Sequence, residues 1–73
     1  MNLYLIKRKW PIGHDECAGF VIAAERNGQA RDMAIDNCSD EGPDEWVKAK
    51  CTQIGEAAPY DVPTIILRDF RAG

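Results

Sequence analysis

No stretch of this sequence approaches the roughly 20 consecutive apolar residues that a membrane-spanning helix needs. The apolar opening, residues 1–6, is followed by Lys7-Arg8-Lys9, whereas a secretory signal peptide carries its charges ahead of the apolar run. We therefore expect neither a membrane partner nor a cleaved leader, and we expect the protein to work in the cytoplasm.

Cysteine and histidine are scarce. The chain has three cysteines, Cys17, Cys38 and Cys51, and one histidine, His14. The cysteines are widely spaced and form no Cys-x-x-Cys pair, so the sequence indicates neither a zinc site nor a redox motif. We interpret them as reduced thiols that fill space as small apolar residues.

Groups with catalytic chemistry come together in the segment His14-Asp15-Glu16-Cys17. A Cys–His nucleophile needs a third group that orients the pair and an oxyanion hole, and a metal ion needs three or four converging ligands. Because the segment lies in a polar connection without a Gly-rich phosphate cradle, we interpret it as a solvated loop. A small enzyme or thiol-dependent factor centred on His14 and Cys17 stays an alternative, but the sequence predicts no catalytic residue, no metal and no cofactor.

The length of 73 residues suffices for a single domain, 1–73, with one thin core. Apolar alternation predicts strands over 3–9, 19–26, 47–54 and 64–70, and helical spacing of apolar residues predicts a helix over 27–38 with Asn27 as its N-cap. The fold class is therefore α+β in the order β-β-α-β-β, a four-stranded, mostly antiparallel sheet with one helix packed on one face. The first and last strands are apolar on both faces, which favours central positions and the strand order 2-1-4-3.

The modest net charge of −3 hides a strong polarisation along the chain. Six of the twelve carboxylates fall between positions 32 and 47, a window with no lysine or arginine, so that window carries −6. The remainder has nine basic residues against six acidic ones and carries +3. The six carboxylates are Asp32, Asp36, Asp40, Glu41, Asp44 and Glu45.

These carboxylates are placed badly for local stability. Asp32 and Asp36 form a like-charge i,i+4 pair, which costs about 0.2–0.5 kcal/mol in an isolated helix. The acidic residues that follow lie toward the helix C-terminus, where negative charge opposes the helix dipole. Because uncompensated departures from local rules tend to mark function, we interpret the six carboxylates and the neighbouring Trp46 as partner-binding residues. The alternatives are a solvated acidic face that keeps the protein soluble and, for Trp46, a core position that the sequence favours.

Basic residues also cluster, in Lys7-Arg8-Lys9-Trp10 and in the pair Lys48 and Lys50. A cationic segment with an aromatic residue is typical of nucleic-acid surfaces. The sequence pI of about 4.9, however, is far from the basic balance of most nucleic-acid-binding domains and argues against direct nucleic-acid binding.

The whole chain resembles a small family of phage and prophage proteins. The likeness is carried by Met1-Asn2-Leu3-Tyr4-Leu5-Ile6-Lys7-Arg8, Gly19-Phe20-Val21-Ile22-Ala23-Ala24, Ala30-Arg31-Asp32-Met33-Ala34, Trp46, Ile54-Gly55-Glu56-Ala57, and an ending with Ile65-Ile66-Leu67 and Phe70-Arg71-Ala72-Gly73. The turn at His14-Asp15-Glu16-Cys17 departs from the family, which usually carries aromatic residues there. Small acidic phage proteins of this plan are similar to several anti-CRISPR proteins, which bind a CRISPR effector complex and stop it from engaging or cutting DNA.

The resemblance implies a phage-encoded, non-enzymatic inhibitor in the host cytoplasm. Its partner would be a subunit of a CRISPR–Cas effector complex, and the acidic residues would lie against the basic DNA-binding surface of that subunit. The alternative is an accessory protein that binds another host factor, a transcription or defence component, or that associates with itself as a homodimer through its sheet.

Overall fold

The computed structural model describes residues 1–72. Its elements in chain order are β1 (Asn2–Lys7), β2 (Glu16–Ala24), α1 (Asn27–Asp36), the one-turn helix α2 (Asp44–Val47), β3 (Lys50–Glu56) and β4 (Thr64–Arg71). The strands form one sheet in the order β3-β1-β2-β4, and each neighbouring pair is antiparallel. The predicted α+β class and the antiparallel four-stranded sheet are confirmed.

The predicted strand order 2-1-4-3 is wrong, because β1 and β2 occupy the centre and β4 lies at an edge. The apolar run in β4 suggested an interior strand. Of that run, Ile65 packs against the core, whereas Ile66 and Leu67 are 41% and 57% exposed. The apolar character on both faces of β4 therefore reflects a core on one side and an uncovered sheet face on the other.

Several element boundaries also differ from the sequence expectation. β1 ends at Lys7 instead of position 9, β2 begins at Glu16 instead of position 19, and α1 ends at Asp36 instead of position 38. The helix begins at Asn27, and the N-cap position is taken by Arg26 in an extended conformation without a side-chain cap, so Asn27 is not the cap. The third strand begins at Lys50 instead of position 47, because residues 44–47 form a helical turn. That turn leaves Val47, which the sequence placed at the start of the third strand, 60% exposed.

The core lies between the helices and one face of the sheet. Alternate residues of the central strands, Tyr4, Ile6, Phe20 and Ile22, are at most 5% exposed and pack with Ala30 and Ala34 of α1. A register shift between Cys17 and Gly19 turns Cys17 to the same side as Phe20, although the two are three residues apart. Met33 of α1 and Cys38, two residues beyond the end of this helix, pack against the core as partly buried neighbours.

The opposite face of the sheet is not covered by α1 or α2. Leu5, Val21 and Leu67 lie side by side on this face, because the β1–β2 and β2–β4 ladders pair Leu5 with Val21 and Val21 with Leu67. Leu5 and Val21 are half-buried, and Leu67 is exposed. We call this side of the molecule the open sheet face.

Candidate partner-binding surface

The six predicted carboxylates follow one another along α1, the connection after it and α2. Four of them, Asp32, Asp36, Asp40 and Asp44, are exposed, and the two glutamates, Glu41 and Glu45, are half-buried. The structure therefore divides a set that the sequence presents as uniform. The two glutamates turn back into the protein, and the four aspartates point to solvent.

Glu41 holds the connection between the helices against the sheet. Its Oε1 accepts a hydrogen bond from the backbone N–H of Cys17 at 3.0 Å, and its Oε2 accepts one from Trp46 Nε1 at 2.6 Å. Burial raises the pKa of Glu41, but the hydrogen bonds from Cys17 and Trp46 outweigh it, and the pKa of this carboxyl lies below its ordinary value. Glu41 is therefore a structural residue, ionised at neutral pH.

Glu45 pairs with two cations from different parts of the chain. Its Oε2 lies 3.0 Å from Lys48 Nζ, and its Oε1 lies 3.4 Å from Arg8 Nη2. The hydrogen bond from Lys48, together with the charges of Lys48 and Arg8, lowers the pKa of the Glu45 carboxyl against the opposing effect of burial. Because Glu45 remains about one-third exposed, we assign these pairs a modest contribution to stability.

Arg8 is the cation that ties this region to the sheet. Its side chain is 6% exposed and reaches both Glu16 and Glu45. The guanidinium also donates to the carbonyl of Cys17 at 2.7 Å and lies 6.0 Å from the centre of the Trp46 ring. A planar group with several fixed donors suits this arrangement, which a lysine could not reproduce.

Trp46 is fully buried, and its ring meets Phe20 edge-on with a centroid separation of 4.8 Å. The core position that the sequence favoured is confirmed, and Trp46 therefore offers no surface to a partner.

Arg31 of α1 stabilises the end of α2. Its Nη1 donates hydrogen bonds to the carbonyls of Trp46, Val47 and Ala49 at 2.8, 3.1 and 2.6 Å.

The four aspartates contrast with the glutamates because nothing inside residues 1–72 neutralises them. Within these residues, none of the four side chains takes part in an ion pair. We call Asp32, Asp36, Asp40 and Asp44 the aspartate surface. Asp40 and Asp44 lie in or beside the segment that Glu41, Arg8 and Arg31 fasten to the rest of the fold, whereas Asp32 and Asp36 lie on α1.

The lowered pKa values of Glu41 and Glu45 predict acid sensitivity. A carboxyl whose pKa is lower in the folded chain stabilises the fold above the unfolded value, here 4.5, and loses that contribution as pH falls through the folded value. We expect the free energy of unfolding to fall when pH is lowered from about 5 to about 3. Urea titrations at a series of pH values measure this, and a flat profile would contradict the assignment of both glutamates as structural.

The structure separates the side chains of the segment His14-Asp15-Glu16-Cys17 by their exposure. His14 is exposed, Cys17 is fully buried, and Glu16 accepts hydrogen bonds from Gly13 N and from Arg8. Burial, helped by the charge of Glu41, raises the pKa of the Cys17 thiol, whereas a thiolate nucleophile needs a lowered one. The interpretation of the whole segment as a solvated loop is therefore wrong: the exposed His14 and Asp15 form a turn, whereas Glu16 and Cys17 begin β2.

The sequence did not predict the meeting of the two basic segments. Lys7 and Lys50 are direct partners in the β1–β3 ladder, and Lys9, Lys48 and Trp10 line the same groove beside them. Each segment is visible in the sequence, but their contact depends on the pairing of β1 with β3, which the predicted strand order did not contain.

Neither a metal-binding cluster nor a membrane-spanning helix is found within residues 1–72. Within residues 1–72, no group of three or more His, Cys, Asp or Glu side chains is placed to hold a metal ion. Over the same residues, neither helix is long and apolar enough to cross a membrane.

The described residues form a small α+β domain that exposes aspartates on its two helices and their connection and lysines on its open sheet face. Comparison of the chain with protein-family models, with curated proteins and with solved structures finds no match.

Proposed function

We propose that this chain is a non-catalytic binding protein that docks its aspartate surface onto a basic, nucleic-acid-binding surface of another protein. The observation that supports it is the division of the acidic residues. Four exposed aspartates have no ion-pair partner within residues 1–72, while the glutamates beside them hold their backbone in place.

The charge of the aspartate surface affects both the rate and the specificity of association with a partner. A surface with several like charges attracts an oppositely charged partner and speeds association, and it rejects partners of the same sign. A rigid segment loses little conformational entropy when it binds, so more of the interaction energy is retained as affinity. The groove of a protein that holds DNA is lined with lysine and arginine, and clustered carboxylates can occupy the positions of the phosphates.

The partner we propose is a subunit of a bacterial CRISPR–Cas effector complex. The resemblance to small phage proteins and to anti-CRISPR proteins supports this choice, and it implies that the protein works in the cytoplasm of a phage-infected host. Binding would be stoichiometric, and it would prevent the complex from engaging its target DNA. No cofactor or catalytic residue enters this proposal.

The second candidate is an accessory protein that uses its sheet to bind another host factor or a second copy of itself. The observation that favours it is the edge strand β4, where Ile66, Leu67 and Phe70 are 41%, 57% and 39% exposed. Exposed apolar residues on an unpaired edge strand promote association with other chains.

Capture of partners from a lysate of a CRISPR-bearing host separates the two candidates. With the tagged full chain as bait, we expect near-stoichiometric effector subunits, and we expect their recovery to fall steeply as the salt concentration of the wash is raised. Recovery of another host protein or of the chain alone, with little dependence on salt, would favour the sheet and contradict the acidic docking surface.

A further inference from the structure

The open sheet face carries a pair of lysines that repel each other. Lys7 and Lys50 are direct cross-strand partners in the antiparallel β1–β3 ladder, so their side chains leave the same face of the sheet. Like charges directly opposite each other destabilise a sheet. Both lysines are exposed, and within residues 1–72 neither forms an ion pair. The repulsion is therefore uncompensated inside the described chain.

More positive charge converges on the same place. Lys9 joins Lys7 and Lys50 along a groove of about 380 Å³ whose floor includes Leu5 and Thr52. A second groove, of about 400 Å³, is lined by the same three lysines together with Arg8, Trp10, Lys48 and one carboxylate, Glu45, which is paired with Lys48 and Arg8. An anionic ligand would relieve the repulsion that the fold leaves in place.

Trp10 gives this region a flat aromatic surface. It is 74% exposed, although it follows directly on three cationic residues. Trp10 also lines a third groove, of about 470 Å³, whose wall includes Leu5, Val21 and Leu67. Because these three residues are in register across β1, β2 and β4, they form an apolar row next to the row that contains Lys7 and Lys50.

We infer that the open sheet face binds single-stranded nucleic acid. The phosphates would lie along Lys7, Lys9 and Lys50, one base would stack on Trp10, and the following bases would lie on the apolar row. Proteins that bind single strands combine cations, which contact the phosphates, with planar and apolar surfaces. Unpaired bases are free to stack on those surfaces. The bases of a duplex are stacked inside it and cannot stack on Trp10. The carboxylates of an acidic peptide carry no ring that could stack there.

The acidic net charge of the chain does not oppose this site. The aspartate surface belongs to the segment from α1 to α2, whereas Lys7 and Lys50 are on the face of the sheet opposite the core. Asp69, which lies on the open face, is paired with Arg71 at 2.9 Å. The charge that a ligand meets on the open sheet face is therefore positive.

Fluorescence anisotropy with labelled thymidine and uridine oligonucleotides of about 12 nucleotides tests this inference on the full chain. We expect saturable binding at low salt, at least roughly tenfold weaker in Lys7→Glu, and roughly 5–100-fold weaker in Trp10→Ala. Arg26→Glu is the matched control, because it makes the same charge change at an exposed residue outside the basic region, and it should bind within about twofold of the parent.

The Lys7→Glu variant also guards against a trivial loss through unfolding. A carboxylate opposite Lys50 replaces repulsion by attraction, so this variant should be at least as stable as the parent while it binds less oligonucleotide. Quenching of the exposed Trp10 by the oligonucleotide, with the buried Trp46 unaffected, would report base stacking directly. No binding at low salt, equal loss in Arg26→Glu, or equal binding of a duplex or of polyglutamate would overturn the inference.

Discussion

Replacing Glu41 with alanine is expected to lower the free energy of unfolding by about 2–5 kcal/mol, although this residue is only half-buried. The substitution removes the acceptors of the Cys17 N–H and of Trp46 Nε1, and both residues are fully buried. Each donor left without a partner costs about 1–3 kcal/mol. Urea unfolding followed by circular dichroism measures the difference, which for a domain of this size would approach its entire stability.

Asp40→Ala is the matched control for this prediction. It removes a neighbouring carboxylate that is exposed and belongs to no ion pair within residues 1–72, so its effect should stay within about 0.5 kcal/mol. Glu41→Gln should fall between the two, since an amide keeps an acceptor oxygen but loses the charge. Equal stability of the Glu41→Ala and Asp40→Ala variants would show that the division between structural glutamates and free aspartates is mistaken.

Reversing the charge of the aspartate surface should abolish partner binding without harming the fold. In the variant Asp36→Lys, Asp40→Lys, Asp44→Lys, three attractive contacts with a basic partner become repulsive. We expect the affinity for the captured partner to fall by roughly 100-fold or more, because like-charge contacts across an interface cost several kcal/mol. Titration calorimetry with the captured partner measures the loss. Glu41 is left unchanged, because its replacement would disturb Trp46 and confuse loss of binding with loss of structure.

A second triple variant controls for net charge. Three exposed carboxylates, Glu25, Glu56 and Asp61, line a groove next to Met1 and Asn2. None of them belongs to the connection between α1 and α2. Converting them to lysine changes the net charge by the same amount, and binding should be largely retained. If both triple variants lose affinity equally, the effect comes from overall charge, and the aspartate surface has no special role.

The sheet and the main helix could be predicted because each has a strong local pattern. The apolar alternation of β1 and β2 and the helical spacing of Ala30 and Ala34 both survive in the core. The helical turn at 44–47 was missed, although Pro43 followed by Asp44 and Glu45 is typical of a helix start. The edge position of β4 could not be predicted from its own sequence. A strand with one uncovered apolar face has the same apolar pattern as a strand that is buried on both faces.

The composition of the candidate surface could be counted from the sequence, but the roles of its residues could not. Glu45 meets Arg8 across 37 positions, and Glu41 meets the amide of Cys17 across 24. These long-range contacts turn two of the six carboxylates into structural groups. Lys7 and Lys50 likewise meet only because β1 pairs with β3. The basic region on the sheet could therefore not be predicted from either sequence segment alone.

Competition with DNA for the effector complex tests whether the aspartate surface takes the place of nucleic acid on a basic protein surface. The effector complex recovered in the capture experiment would be mixed with its labelled target duplex and titrated with the full chain. We expect the parent chain to displace the duplex at stoichiometric amounts, and we expect no displacement by the Asp36→Lys, Asp40→Lys, Asp44→Lys variant. Undiminished DNA binding at saturating parent chain, or equal displacement by the variant, would contradict this role of the aspartate surface.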